Sequence, residues 1–159
     1  QADQLVHALH QRRHAGHETL LELAEARRLD QRQLEQQAGD ARLGIGGLVL
    51  ELQRRRPESR IEGIELAPLP WLASHLRALA TRSRARFTRG DYEKLDLGDY
   101  DAVFAYLSPA AMSALWRKAA REMRPGSMLF SYEFIVVGQT PTRVVHPYTG
   151  GPALYIWDF

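Results

Sequence analysis

The alternation of short apolar runs with amphipathic segments after residue 40 constrains the fold of this chain most strongly. Four apolar runs are predicted strands: 60–66, 85–91, 100–107 and 127–137. Three amphipathic segments are predicted helices: 48–56, 70–83 and 108–126. Strands that alternate with helices form right-handed crossovers, which build a mostly parallel sheet with helices on both faces. The pattern therefore predicts a doubly wound α/β fold.

Two features flank this alternating region. Runs 142–146 and 153–159 have only a short turn between them, so we expect an antiparallel strand pair at the C-terminal end. Residues 1–38 are rich in Gln, Arg, Glu, Leu and Ala, which favour helices. We therefore predict an N-terminal helical extension over 1–40 and an α/β domain over 41–159.

Composition excludes several classes of protein. The chain has 159 residues, the usual size of one domain, and no cysteine, so it has no disulfides and no cysteine-based zinc site. Its net charge of +2 argues against a nucleic-acid partner, and Arg54, Arg55 and Arg56 are interpreted as a basic helix end. No apolar run approaches ~18 residues, so no transmembrane segment is expected. No signal-peptide pattern begins the chain, and a cytoplasmic location is expected.

Four histidines recur in the predicted N-terminal helix: His7, His10, His14 and His17. At helical spacing they share one face, and histidines one turn apart can bind zinc. Gly16 interrupts the helix, however, and no acid completes a set of ligands. We interpret the histidines as a solvated polar face and predict no metal site.

A glycine cluster suggests a ligand-binding turn. Gly44, Gly46 and Gly47 stand directly before the helix 48–56, whose first amides would be available to a polar or anionic group. In doubly wound folds an acid about 20 residues further on binds ribose hydroxyls, and Glu65 lies at that spacing. The alternative is a tight helix start and a solvated strand end. The regular alternation that follows favours the ligand-binding interpretation.

The glycines do not match a dinucleotide site well. The fingerprint for such sites is G-x-G-x-x-G/A, and counting from Gly44 places Val49 at the last position. A nicotinamide cofactor is therefore a poor candidate.

From about residue 41 to the end, the chain resembles the class I methyltransferases that use S-adenosylmethionine (SAM). Five motifs occur in the family's order: GIGG (44–47), GIEL (63–66), RGDY (89–92), YDAVFAYLSP (100–109) and MRPGSMLFSYEF (123–134). The resemblance implies that Glu65 binds ribose, that Asp91 and Tyr92 lie beside adenine, and that the fourth strand ends near the sulfur of the methyl donor. The residues that it implies for SAM binding are Gly44, Gly46, Gly47, Glu65, Leu66, Asp91 and Tyr92.

The stretch GIELAPLPWLASHLRA (63–78) and the run 107–122 resemble a narrower group more loosely. This group is the small protein lysine methyltransferases that act on mitochondrial carriers and ATP-synthase subunits, with their bacterial relatives. The resemblance implies a protein lysine as methyl acceptor. The alternatives are a small-molecule or RNA methyltransferase, and a non-catalytic binding module with a decayed cofactor site.

The family's first strand, which ends in an acid, is missing before Gly44. Only DARL (40–43) stands there, which is too short for a central strand. Either the first strand is degenerate, or about half a dozen residues are missing between Leu43 and Gly44. We prefer the second explanation, which predicts a Cα separation there clearly larger than ~3.8 Å.

Candidate catalytic residues follow the fourth predicted strand: Tyr106, Ser108 and Pro109. Tyr106 could orient an acceptor amine through its hydroxyl or ring face, or be an ordinary strand aromatic. Ser108 is interpreted mainly as a helix cap. Tyr132 and Glu133 point to opposite sides of the fifth strand, so one of them could line the acceptor cleft.

Overall fold

The computed structural model describes residues 5–10, 46–146 and 149–159, the first of these ranges by its backbone alone. These residues form one seven-stranded sheet with three helices. The strands are β1 (Leu5–His10), β2 (Arg60–Glu65), β3 (Arg86–Arg89), β4 (Ala102–Tyr106), β5 (Met128–Tyr132), β6 (Arg143–Val145) and β7 (Leu154–Asp158). The helices are α1 (Gly47–Arg55), α2 (Pro68–Ala80) and α3 (Pro109–Glu122).

The strand order is β3-β2-β1-β4-β5-β7-β6. Strand β2 pairs parallel with β3, and β4 pairs parallel with β5. Strand β1 lies between β2 and β4 and is antiparallel to both, so β2 to β5 all point the same way. The last two strands pair antiparallel with each other, and β7 is antiparallel to β5. The predicted antiparallel C-terminal pair is therefore confirmed.

The prediction of a helix is wrong for residues 5–10, which form the central strand β1. Leu5 and Leu9 fit a helical stripe, but this segment occupies the position between β2 and β4. Without a strand there, the backbone N–H and C=O groups that those two neighbours turn toward each other would lack ladder partners. Tertiary pairing therefore overrides local helix propensity. Residues 11–45 lie outside the described residues, so the rest of the predicted extension stays a prediction.

Because Leu43 and Gly44 also lie outside the described residues, the predicted gap between them is not tested. The structure does show that the first-strand position is filled from the N-terminal end of the chain, by a strand that runs opposite to the predicted direction.

Helices cover both faces of the sheet. Helices α1 and α2 lie on one face, over a core that includes Val49, Ile61, Phe87 and Phe104. Helix α3 lies on the other face, where Met112, Leu115, Ala119 and the sheet residues Val103, Ala105 and Leu129 form a second core. Among the described helices, none combines the length and the apolar character needed to cross a membrane.

Helix α2 turns its apolar stripe outward. Leu72, Leu76 and Leu79 share a face as their spacing predicts, but they are 43%, 54% and 62% exposed. The buried side chains of α2 are the small residues Ser74 and Ala78. Small residues allow α2 to approach the sheet closely, and this position sets the surroundings of the α1 N-terminus described below.

Candidate functional site

The ends of β2 and β4 lie at the same level of the sheet. The backbone of Leu5 pairs with Glu65 on one side and with Tyr106 on the other. Two strand spacings separate these residues, which is about 10 Å. Both side chains also point to the α1–α2 face, because Ile61 and Phe104, at even spacing along the same two strands, belong to the core on that face. Glu65 and Tyr106 therefore share one face at the carboxyl edge of the parallel strands.

The start of α1 is built around a glycine with no room for a side chain. Gly46 has φ of 75°, and a Cβ there would collide with Ser74 Oγ and lie 3.0 Å from the Phe87 ring. Its carbonyl accepts the first helical bond from the Leu50 N–H at 3.2 Å, and no side chain caps the helix within the described residues. At Gly46 no side chain covers the backbone, and the first-turn amides of α1 have no side-chain cap among the described residues. Such a helix start suits a polar or anionic ligand group.

A buried hydroxyl lies beside this turn. The Ser74 side chain is fully buried, and its Oγ has no hydrogen-bond partner among the described residues. Buried hydroxyls nearly always have a partner. We therefore expect a polar group at this turn, supplied either by a ligand or by residues 41–45.

Glu65 joins three elements at the same edge. Its Oε1 accepts the Ala67 N–H, just before α2, at 3.0 Å. Its carbonyl accepts the Gly90 N–H, just after β3, at 3.1 Å. The glycine turn lies nearby, because Phe87 contacts the Gly46 position and pairs with Gly63, two residues before Glu65. The glycine turn at Gly46 and the acid Glu65, which the sequence pairs by their spacing, therefore lie at the same edge of the sheet.

The residues after β3 divide between surface and core. Asp91 is half-buried, and its Oδ1 accepts the Glu93 N–H at 2.9 Å. Tyr92 packs into the core on the α3 face, where burial raises the pKa of its hydroxyl. Leu66, which follows Glu65, is 56% exposed. Of the two residues expected beside adenine, Asp91 is the one with accessible surface.

An aromatic group with a carboxylate occupies the ends of β4 and β5. The Tyr106 hydroxyl donates to Glu133 Oε2 at 3.0 Å, and this hydrogen bond raises the pKa of Tyr106. The Tyr106 ring lies 6.0 Å from the Tyr132 ring and 6.1 Å from the Phe134 ring. Tyr106 is more than an isolated strand aromatic, because its hydroxyl and its ring both have partners at this edge.

The other two candidates after β4 have structural positions. Ser108 precedes α3, and its Oγ accepts the Ala111 N–H at 3.4 Å, so the interpretation of Ser108 as a helix cap is confirmed. Pro109 is the first residue of α3, where its missing N–H costs nothing.

The sequence alone does not decide whether Tyr132 or Glu133 lines the acceptor cleft, and the structure places Glu133 at a turn after β5. Its backbone has φ of 74°, which turns the chain sharply out of β5. The Glu133 N–H donates to the Ala153 carbonyl at 2.8 Å, and the buried Ser131 hydroxyl donates to the Phe134 carbonyl at 2.6 Å. These bonds fix the turn, so the Glu133 side chain reaches Tyr106 on the neighbouring strand.

The histidines do not form the helical face that their spacing suggested. His7 and His10 lie in β1, whereas His14 and His17 fall outside the described residues. Within the residues that the structure describes, no group of three histidine or acidic side chains is placed to hold a metal ion.

The fold is shared with a solved methyltransferase. An RNA methyltransferase from Salinibacter ruber, crystallised with S-adenosyl-L-homocysteine, matches with a TM-score of 0.65 and 25% identity. The match covers 72% of this chain and 74% of that one. No curated protein matches this chain.

An α/β sheet of this order, with a glycine turn and an acid at one edge, is the architecture of a class I SAM-dependent methyltransferase. The chain belongs to the family of the ANTKMT methyltransferase domain, whose model matches residues 40–143. It is therefore a SAM-dependent enzyme. The matched range contains all the candidate residues at the carboxyl edge. It does not include β1, the last two residues of β6 or β7.

Proposed function

We propose that this enzyme transfers a methyl group from SAM to the side-chain nitrogen of a lysine in a protein. The lysine binds as an ammonium and loses a proton to water before the transfer; the bond from nitrogen to the methyl carbon then forms as the bond from that carbon to sulfur breaks, and S-adenosyl-L-homocysteine leaves. The cofactor, when bound, supplies an electrophilic methyl group on a positively charged sulfur. The chain would hold it through the first amides of α1 at Gly46 and Gly47, the Glu65 carboxylate at the ribose and Asp91 near the adenine. Position and electrostatics are the main contributions that a protein makes to such a transfer.

The cradle at Gly46 supports this assignment of the cofactor. A side chain at Gly46 would collide with Ser74, and the α1 amides beside it have no side-chain cap among the described residues. The Glu65 side chain is only 2% exposed, which sets a condition on its proposed contact with ribose. A ribose can bond its carboxylate only after a local rearrangement uncovers it at this edge.

The aromatic group at the ends of β4 and β5 is the observation that supports lysine as the acceptor. Tyr106 is 38% exposed and lies level with Glu65, with the Tyr132 and Phe134 rings around it. Aromatic faces attract alkylammonium groups, and their edges pack against an aliphatic stem. A lysine side chain has both parts, so it suits this position next to the methyl donor.

RNA is the second candidate acceptor. It is favoured by the structural likeness to an RNA methyltransferase. Nucleic-acid bases also stack on aromatic rings, so Tyr106 and Tyr132 alone do not exclude it.

Transfer of a radioactive methyl group from SAM into a cell lysate separates these candidates. We expect label that resists nuclease, is released by protease and appears as methyllysine after acid hydrolysis. Tyr106→Ala is expected to lower the labelling about tenfold or more, whereas Tyr106→Phe, which keeps the ring, retains more of it. Label that nuclease removes would show that the acceptor is RNA and would reject the lysine proposal.

A further inference from the structure

We propose that Glu133 binds the ammonium group of the acceptor, so that Glu133 and Tyr106 together form the acceptor subsite; this proposal rests on the proposed lysine methyltransferase function. Glu133 lies inside the fifth-strand motif MRPGSMLFSYEF (123–134), but the resemblance assigns it no role. Its role follows from the hydrogen bond to Tyr106 and from the turn that presents it.

The charge of Glu133 is available to a cation. The carboxylate is exposed, and its Oε2 accepts the Tyr106 hydroxyl. Within the described part of the chain, no lysine or arginine forms an ion pair with it. An ammonium group can therefore donate to this carboxylate while its aliphatic stem lies along the rings of Tyr106 and Tyr132.

The backbone at Glu133 is held in a conformation that favours glycine. A residue with a side chain at φ of 74° is strained, and such positions concentrate at functional sites. The bond from the Glu133 N–H to the Ala153 carbonyl and the bond from the Ser131 hydroxyl to the Phe134 carbonyl maintain the turn. Glycine at this position would relieve the backbone strain but would remove the carboxylate. Placing a carboxylate here therefore requires a strained backbone.

The same charge discriminates between acceptors. A carboxylate within reach of the acceptor attracts an ammonium group and repels the phosphates that surround every RNA base. The aromatic rings tolerate either acceptor, so Glu133 is the group that gives this edge a preference for a cationic side chain.

A binding experiment tests Glu133 without any methyl transfer. The probe is N-acetyl-lysine methylamide, titrated into protein with ¹³C-labelled tyrosines and followed by NMR, with N-acetyl-norleucine methylamide as the uncharged control. We expect the lysine probe to shift the Tyr106 signal, assigned with Tyr106→Phe, and the norleucine probe to leave it unchanged. Glu133→Gln keeps the size of the side chain and is expected to weaken probe binding about tenfold.

One further variant makes the result decisive. Glu133→Gly relieves the backbone, so a loss of probe binding in this variant without loss of stability shows that the carboxylate matters rather than the fold. Equal binding of the lysine probe by the wild type and Glu133→Gln, or no binding by the wild type, overturns the proposal. The two experiments test different claims. Methylation of RNA in the lysate would reject the proposed lysine methyltransferase function, whereas the NMR titration measures binding at the Glu133 subsite directly.

Discussion

At the scale of single residues, Gly46 is the position where sequence and geometry agree most closely. The sequence predicts a turn that requires glycine, and the structure shows a left-handed backbone with Ser74 and Phe87 packed against the missing side chain. Both the conformation and the contact exclude other residues. The consequence is that the α1 amides can approach a ligand without an intervening side chain.

Gly46→Ala is therefore expected to destabilise the protein and to abolish SAM binding. The left-handed backbone alone costs about 1 to 2 kcal/mol for alanine, and the clash with Ser74 adds to it. Gly90→Ala is the matched control, because no atom lies within 4 Å of the added Cβ. Denaturant unfolding and SAM titration of both variants check this. Equal stability of the two variants would show that the turn at Gly46 is not as described.

At the scale of elements, most of the described fold could be predicted from sequence. The strands and helices from α1 to β7 follow apolar periodicity, and caps such as Ser108 with Pro109 mark their starts. Two features could not be predicted. The segment 5–10 has the apolar spacing and composition of a helix, and only its pairing with β2 and β4 makes it a strand. The turn at Glu133 depends on one backbone hydrogen bond, from the Glu133 N–H to the carbonyl of Ala153, which lies beyond β6 in the chain.

The candidate site shows the same division. The spacing from Gly46 to Glu65 depends on one helix and one strand, so it could be predicted from sequence. The contact of Glu133 with Tyr106 joins the ends of the neighbouring strands β4 and β5. It needs a residue at positive φ, which no glycine in the sequence indicates. The functional roles of these residues stay predictions until the variants are measured.

Helix α2 provides a prediction at this scale. Leu76 is 54% exposed, so Leu76→Glu is expected to change the free energy of unfolding by no more than about 0.5 kcal/mol. Ala78 is 6% exposed, and Ala78→Glu would bury a charge against the sheet, at a cost of about 3 kcal/mol or more. Denaturant unfolding compares the two variants. A large loss of stability in Leu76→Glu would mean that the leucine face is covered.

At the scale of the whole molecule, β1 joins the two halves of the sheet. It is the only strand that connects β2 and β3 with β4 and β5 in the order of the described residues. Its backbone pairs over six residues with β2 and over five with β4. The alignment of Glu65 with Tyr106, and so the geometry proposed for methyl transfer, depends on this strand.

Ala8→Pro tests the central position of β1. Proline removes an amide that a central strand uses in its ladder, so we expect a loss of about 3 kcal/mol or more. Ala8→Gly keeps the amide and is expected to cost about 1 kcal/mol or less. Thermal unfolding measures both, and slow hydrogen exchange of residues 5–10 gives an independent check. An Ala8→Pro variant as stable as the wild type would place these residues outside the sheet.

The most direct measurement is calorimetric titration of S-adenosyl-L-homocysteine into the wild type, Glu65→Gln and Glu58→Gln. Glu65 ends β2 at the proposed ribose position, whereas Glu58 is exposed in the turn before the same strand. We expect the wild type and Glu58→Gln to bind equally and Glu65→Gln to bind at least about tenfold more weakly. A wild type that does not bind, or a Glu65→Gln variant that binds as tightly as the wild type, would contradict a cofactor site at this edge.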